Sequence, residues 1–153
     1  MDGFAIYKSK FGYLRVEYES NKIIGLYKVA EKSKKIGEKT ALTNSVFKQL
    51  EEYFAGKRKK FAFPYELRGT EFQKKVWAEL EKIPYGETRT YGQLATAMGK
   101  PKACRAVGMA NHYNPIFIVV PCHRVIGSNG KLTGYAAGLP MKEALLQLEE
   151  ENK

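Results

Sequence analysis

Three stretches near the N-terminus alternate apolar and polar positions with a period of two. Phe4 to Tyr7, Tyr13 to Tyr18 and Ile23 to Val29 are rich in aromatic and β-branched residues, and turn-like Ser9 to Gly12 and Ser20 to Lys22 separate them. The pattern predicts a small antiparallel meander. From about Asn44 the period lengthens. Val46, Phe47, Leu50, Tyr53 and Phe54 form one apolar stripe of a helix, and Gly56 suits its stop. Residues 57–69 carry Pro64 and read as a connector, so the expected organisation is a sheet domain over 1–68 and a second domain over 69–153.

The second part is predicted to be mainly helical. Thr70 and Gln73 have the spacing of a capping box ahead of Phe72, Val76, Trp77, Leu80 and Ile83, and Pro84-Tyr85-Gly86 ends that helix. Thr90 and Gln93 form a second capping box for a short helix through Leu94, Ala95 and Met98. Gly99 stops it, and Pro101 suits the first position of a third helix running to about Ala110. Two short helices across Gly99-Lys100-Pro101 have helix-turn-helix spacing, which a plain packing pair shares. The third helix is built of small residues (Ala103, Cys104, Ala106, Gly108, Ala110), with Lys102 and Arg105 as its charges. Such a face suits close approach to a surface or to another helix. Ile116 to Val120 is a continuous apolar run, predicted to be a strand buried on both faces. Gly127 to Gly130 reads as a hairpin-type turn, and a last helix runs through Met141, Leu145, Leu146 and Leu148. The whole reads as an α/β (α+β) chain.

Charge sharpens this. Lys and Arg number 26 against 16 Asp and Glu, a net +10 over 153 residues. Residues 1–68 carry +7, with clusters at Lys32, Lys34, Lys35 and Lys57 to Lys60 that read as solvated turns. No acid lies between Glu87 and Glu143, a span that holds Arg89, Lys100, Lys102, Arg105, Arg124, Lys131 and Lys142. So long an acid-free stretch points to a polyanionic partner. The 20 Lys and 15 Glu against a single Asp hint at a thermophile. No apolar run approaches the roughly 18 residues of a membrane span. The first residues do not pattern as a signal peptide, and two cysteines suit a reducing compartment, so a cytoplasmic protein is expected.

The candidate chemistry is at Pro121-Cys122-His123-Arg124. A thiol beside an imidazole and a guanidinium is placed for activation, although neighbours on a strand point opposite ways and a core cysteine has the same sequence. Metal binding is the rival use, but Cys104, His112, Cys122 and His123 lack zinc-ligand spacing. Leu132 to Gly138 is a loop of small residues in which Tyr135 stands out. Glu149 lies near the end of the last helix, where its charge opposes the helix dipole, as if held by a partner such as a histidine.

Several motifs recur in order: Gly69-Thr70-x-Phe72-Gln73, Val76-Trp77, Ile83-Pro84-Tyr85-Gly86-x-Thr88, Tyr91, Arg105-Ala106-Val107-Gly108, Asn114-Pro115, Pro121-Cys122-His123-Arg124-Val125 and Gly134-Tyr135. Together they resemble the O6-alkylguanine-DNA alkyltransferases, continuously from about Gly69 to Glu149. Residues 1–68 resemble that family's variable, ribonuclease-H-like N-terminal domain only loosely. The resemblance implies a winged helix-turn-helix and a single-turnover repair of O6-alkylguanine, possible also on O4-alkylthymine, after nucleotide flipping from the minor groove. By the same resemblance Cys122 is the alkyl acceptor, His123 its base through a water, Glu149 the orienting carboxylate, Tyr135 a donor to the purine ring and Asn114 a tie to the recognition helix. Arg105 becomes the finger that fills the stack and Tyr91 pushes the phosphate, with further DNA contacts at Thr90, Gln93, Lys102, Ala103 and Arg124. The resemblance also implies that the backbone carbonyls of Cys122 and Val125 read the exocyclic amine, that the Ala136 amide lies near the base's oxygen, and that Met109 belongs to the substrate-binding set. The implied partner is double-stranded DNA containing alkylated guanine, bound by a monomer with no cofactor, no metal and no membrane. Where the family usually carries paired glycines after the tyrosine, this chain has Ala137 before Gly138, and the extra methyl is expected to tighten the pocket against bulky adducts. The relatives that bind without repair replace the acceptor, whereas Cys122 is kept here. A sensing module that binds alkylguanine without transfer, and a cysteine hydrolase, are the alternatives.

Overall fold

The computed structural model describes residues 2–30 and 37–153. The chain divides into two compact units, Met1–Arg68 and Gly69–Lys153. In the first, β1 (Asp2–Ser9), β2 (Gly12–Glu19) and β3 (Lys22–Val29) form an antiparallel sheet in the order β1-β2-β3, with a bulge at Glu17/Tyr18. The period-two pattern is realised: Leu14, Val16 and Tyr18 are all buried on one face. Helix α1 (Ala41–Phe54) brings Val46, Leu50, Tyr53 and Phe54 into this core. It begins three residues before the expected Asn44. Thr40 caps the Thr43 amide while the Thr43 hydroxyl accepts from the Thr40 amide, so threonine replaces the usual Glu or Gln in the capping box. Of the basic clusters, Lys32, Lys34 and Lys35 lie outside the described residues.

The second unit comprises α2 (Glu71–Glu81), β4 (Arg89–Thr90), α3 (Tyr91–Ala97), α4 (Cys104–His112), β5 (Val125–Ile126) and α5 (Leu139–Asn152). Both predicted capping boxes form, at Thr70/Gln73 and Thr90/Gln93. Trp77 is almost fully buried and donates from Nε1 to the Ala110 carbonyl at 2.8 Å, locking α2 to α4. Tyr91 packs over Gly108, where an added Cβ would meet the ring at 3.7 Å, so part of the small-residue pattern of α4 is helix–helix packing. The third helix starts at Cys104 rather than Pro101. Gly99 has φ of 73°, and the Ala103 amide donates to the Lys100 carbonyl in a separate turn before the helix begins. Strands β4 and β5 pair in parallel, which sets the start of α3 beside the segment that follows Cys122.

The predicted strand at Ile116 to Val120 does not form. This segment is a tight double turn, followed by a 3-10 turn at Cys122–Arg124. Its backbone is satisfied by a side chain instead of a neighbouring strand: Asn114 accepts from the Ile116 amide (3.1 Å) and donates to the Val120 carbonyl (2.7 Å). Ile118 has φ of 70°, and the Val119 amide donates across it to the Phe117 carbonyl, a γ-turn of the rare, strained hand. A β-branched residue at positive φ costs about 1–3 kcal/mol and persists only where its surroundings dictate it. Here Ile116, Ile118 and Val120 are essentially fully buried and hold it. Continuous apolarity marked burial correctly, but a buried turn gives the same signal as a buried strand.

Candidate active site

Pro121, with φ of −81° and ψ of 66°, makes a second γ-turn that delivers Cys122. Cys122 is buried, and burial pushes its thiol up to about 11, against smaller opposing effects of the Asn114 and Tyr135 side chains and of the Lys142 charge. The cysteine is therefore a protonated thiol at neutral pH, and its proton must leave as it reacts. Asn114 and Tyr135 lie within hydrogen-bonding reach of it.

Next to Cys122 lies a buried polar chain. His123 is fully buried and its Nε2 is 2.7 Å from Glu149 Oε2. An ionised carboxylate only accepts, so Nε2 carries the proton and Nδ1 is the basic nitrogen. Burial lowers the His123 pKa, with Arg124 and Lys142 acting the same way and Glu149 opposing them, so the ring is neutral near pH 7. Glu149 accepts in addition from Arg124 Nε (2.8 Å), Arg124 Nη2 (3.0 Å) and the Gly86 amide (3.0 Å). Burial alone would raise its pKa; these donors outweigh it and hold the carboxyl well below the usual range. With His123 neutral, Arg124 supplies the balancing charge. Arg124 also donates to the Ile83 carbonyl at 2.6 Å and lies over the Tyr85 ring, so the Ile83-Pro84-Tyr85-Gly86 turn is its seat.

Lys142 is fully buried, in the first turn of α5. Its Nζ donates to the carbonyl oxygens of Thr133 (2.8 Å) and Gly134 (3.4 Å), anchoring the loop that carries Tyr135. Burial pushes its pKa down to about 8. Around the thiol, then, stand two cations (Arg124 and Lys142), one anion (Glu149) and a neutral imidazole. The site is one negative charge short of neutrality, and a Cys122 thiolate would supply it.

Residues 71–151 match the DNA-binding domain of the 6-O-methylguanine DNA methyltransferases, and residues 4–67 match their ribonuclease-like domain. The chain belongs to this family. The methylated-DNA–protein-cysteine methyltransferase of Methanosarcina acetivorans is 66% identical over 102 residues, which are 67% of this chain and 65% of that protein. That of Mycolicibacterium paratuberculosis is 59% identical over 104 residues, 68% of this chain and 63% of that protein. The matched stretch thus spans just under two thirds of these relatives. The crystal structure of Mycobacterium tuberculosis O6-methylguanine methyltransferase superposes with a TM-score of 0.89 at 41% identity, covering 100% of this chain and 95% of that one. The same organism's OGT in complex with DNA superposes with 0.88 at 43% identity, covering 97% and 93%.

Within this methyltransferase-family chain the structure gathers Cys122, His123, Glu149, Asn114 and Tyr135, the residues singled out for catalysis, into one cluster. Arg105 and Met109 lie exposed along one stripe of α4, Ala103 is its half-buried N-cap, and Lys102 is exposed in the turn just before it. Thr90 and Gln93 serve the α3 cap, and the Tyr91 hydroxyl accepts from Thr133 at 3.2 Å. Val125 is buried and the Ala136 side chain exposed.

One expectation is corrected. Arg124 is not a DNA contact, because its guanidinium is buried and committed to Glu149 and Ile83. Met109 is 58% exposed. The α4 residue set against the nucleophile is Asn111, whose Nδ2 donates to the Cys122 carbonyl at 3.4 Å. Sequence reading missed Asn111 and Lys142. A lysine or asparagine on a helix normally means a wet surface, and only the i, i+3 spacing of Lys142 from the core residue Leu145 hinted at burial. Among the described residues no three His, Cys, Asp or Glu gather as metal ligands, and no helix is long and apolar enough to cross a membrane.

Proposed function

We propose that this chain repairs DNA directly, moving the alkyl group of O6-alkylguanine onto Cys122 in a single, irreversible turnover. The observation that carries the reading is the Cys122 thiol itself. It is protonated, enclosed by Asn114 and Tyr135, and backed by a neutral imidazole whose far nitrogen is fixed on Glu149.

Cys122 Sγ attacks the alkyl carbon as the carbon–oxygen bond breaks, so one S–C bond replaces one C–O bond. The thiol proton passes to His123 Nδ1 through a water, and Glu149 with Arg124 steadies the resulting imidazolium. Tyr135 gives a hydrogen bond to the purine ring as charge builds on the leaving base, with the Ala136 amide near its oxygen and the Val125 carbonyl facing its amine. The product is a thioether that no neighbouring group can cleave.

The substrate atom is hidden inside a duplex, so the nucleotide must turn out of the stack. Arg105 fills the gap from α4, whose small residues suit a minor groove, and Tyr91 displaces the phosphate. Lys102, Ala103, Thr90 and Gln93 flank the backbone. In this reading the partner is double-stranded DNA with an alkylated guanine, bound by a monomer in the reducing cytoplasm, and the unit 69–153 is the DNA-binding and transfer domain.

The test is intact mass after incubation with duplex DNA carrying O6-methylguanine. One methyl mass is gained on a Cys122 peptide and never more, and Cys122→Ala abolishes the gain while DNA affinity stays within about twofold. Binding without a mass gain favours a sensing module, and repeated turnover favours a hydrolase.

A further inference from the structure

Tyr91 opens α3 and is held at two points. Its ring lies along Gly108 of α4, so one side of the ring is backed by a helix. Its hydroxyl is held by Thr133, whose Oγ1 donates to it at 3.2 Å from a loop far along the chain. Because Thr133 is the donor, the phenol hydrogen stays available, and a hydroxyl that accepts one hydrogen bond donates a second more strongly. Thr133 is itself anchored. Its carbonyl accepts from the buried Lys142 Nζ at 2.8 Å, and its methyl lies beside Gly127, where an added Cβ would meet it at 3.3 Å. The Thr133 side chain is nevertheless exposed, so no buried packing demands a hydroxyl there.

We propose that Thr133 is a positioning residue, whose hydroxyl holds the Tyr91 phenol so that Tyr91 meets the phosphate of the turning nucleotide as a fixed and already aimed group. The inference rests on the reading of Tyr91 given above and adds the residue that makes it work. A side chain displaces a phosphate only if it cannot swing aside itself. Gly108 lets the ring lie against α4, and Thr133 removes the remaining freedom of its far end. The rotamer entropy of Tyr91 is then lost on folding, before DNA arrives, and not during the flip. The anchor on Lys142 means that Tyr91 is held from α5 and not by a loose loop. The same loop continues into Tyr135, so one stretch of backbone serves both the phosphate contact and the donor to the purine.

The experiment measures the single-turnover rate of methyl transfer at saturating duplex DNA carrying O6-methylguanine. Thr133→Val keeps the shape and the methyl beside Gly127 but removes the donor, and the rate falls about fivefold, as for one lost hydrogen bond. Thr133→Ser keeps the hydroxyl and stays within about twofold of the wild type. Tyr91→Phe has no hydroxyl for Thr133 to hold. It is slower than the wild type, and adding Thr133→Val to it changes the rate by less than about twofold. A merely structural role for Thr133 would slow the Tyr91→Phe chain by the full factor, and that result overturns the proposal. So does Thr133→Ser as slow as Thr133→Val, Thr133→Val as fast as the wild type, or Tyr91→Phe as fast as the wild type. Failure of the transfer reading is recognised separately, as no mass gain by the wild-type chain from the same duplex.

Discussion

Glu149 is a carboxylate in a place where burial by itself would neutralise it, and Arg124 is what keeps it charged. Arg124→Gln should lower stability by about 3–5 kcal/mol, because it leaves a buried anion without its partner. Arg124→Lys should recover little of this, since an ammonium cannot reach both Glu149 oxygens and the Ile83 carbonyl in one plane. Denaturant titration of each variant checks both statements. The same cluster sets the acid response. The His123 pKa is lowered from an ordinary 6.5 and that of Glu149 from 4.5, so both groups bind protons more readily in the unfolded chain. Stability should therefore fall as pH drops below about 6.5 and fall again through about 4.5, read as melting temperature against pH. Little of this was legible in the sequence. Cys122, His123 and Glu149 could be named from motifs, but the adjacent Arg124 looked like a basic surface residue. Its burial depends on a turn forty positions upstream, which no local pattern reveals.

Among the elements, the turn between α3 and α4 isolates one physical cause. Gly99 adopts φ of 73° and an added Cβ there meets nothing within 4 Å, so space is no obstacle and only backbone strain counts. Gly99→Ala should cost about 1 kcal/mol, with a lower denaturation midpoint and an unchanged slope. Helix caps and the three-stranded meander were legible because their signals are local: Thr70/Gln73 and Thr90/Gln93 are capping boxes by spacing, and β1 to β3 alternate cleanly. The segment from Ile116 to Val120 failed for the opposite reason. Its conformation is decided by Asn114 bridging the turn and by the packing that holds Ile118 at positive φ, and neither is visible in an apolar run.

Charge is the property that belongs to the chain as a whole. Of the seven bases in the acid-free span, Arg124 and Lys142 are buried structural groups, which leaves Arg89, Lys100, Lys102, Arg105 and Lys131 facing outward or partly so. Arg89 is paired with Glu87 at 3.1 Å, so four cations remain for phosphates. The logarithm of DNA affinity should then fall with the logarithm of salt concentration with a slope of about −4, measured by fluorescence anisotropy. A slope near −7 would mean that bases outside the acid-free span also touch DNA. The net +10 overstates the cations available to a polyanion, because a sequence does not say which of them are spent inside.

The protected state of Cys122 bears on how such a molecule survives in a cell. In the proposed reading the sulfur reacts only once, so each stray electrophile that meets it wastes a molecule. With the thiol pushed up to about 11 from an ordinary 9.0, the reactive anion is about a hundredfold scarcer than in an open cysteine. Reaction with soluble alkylating agents and oxidants, which proceeds through that anion, should slow in proportion. In that reading, sluggishness at rest preserves the sulfur until a lesion is delivered to it.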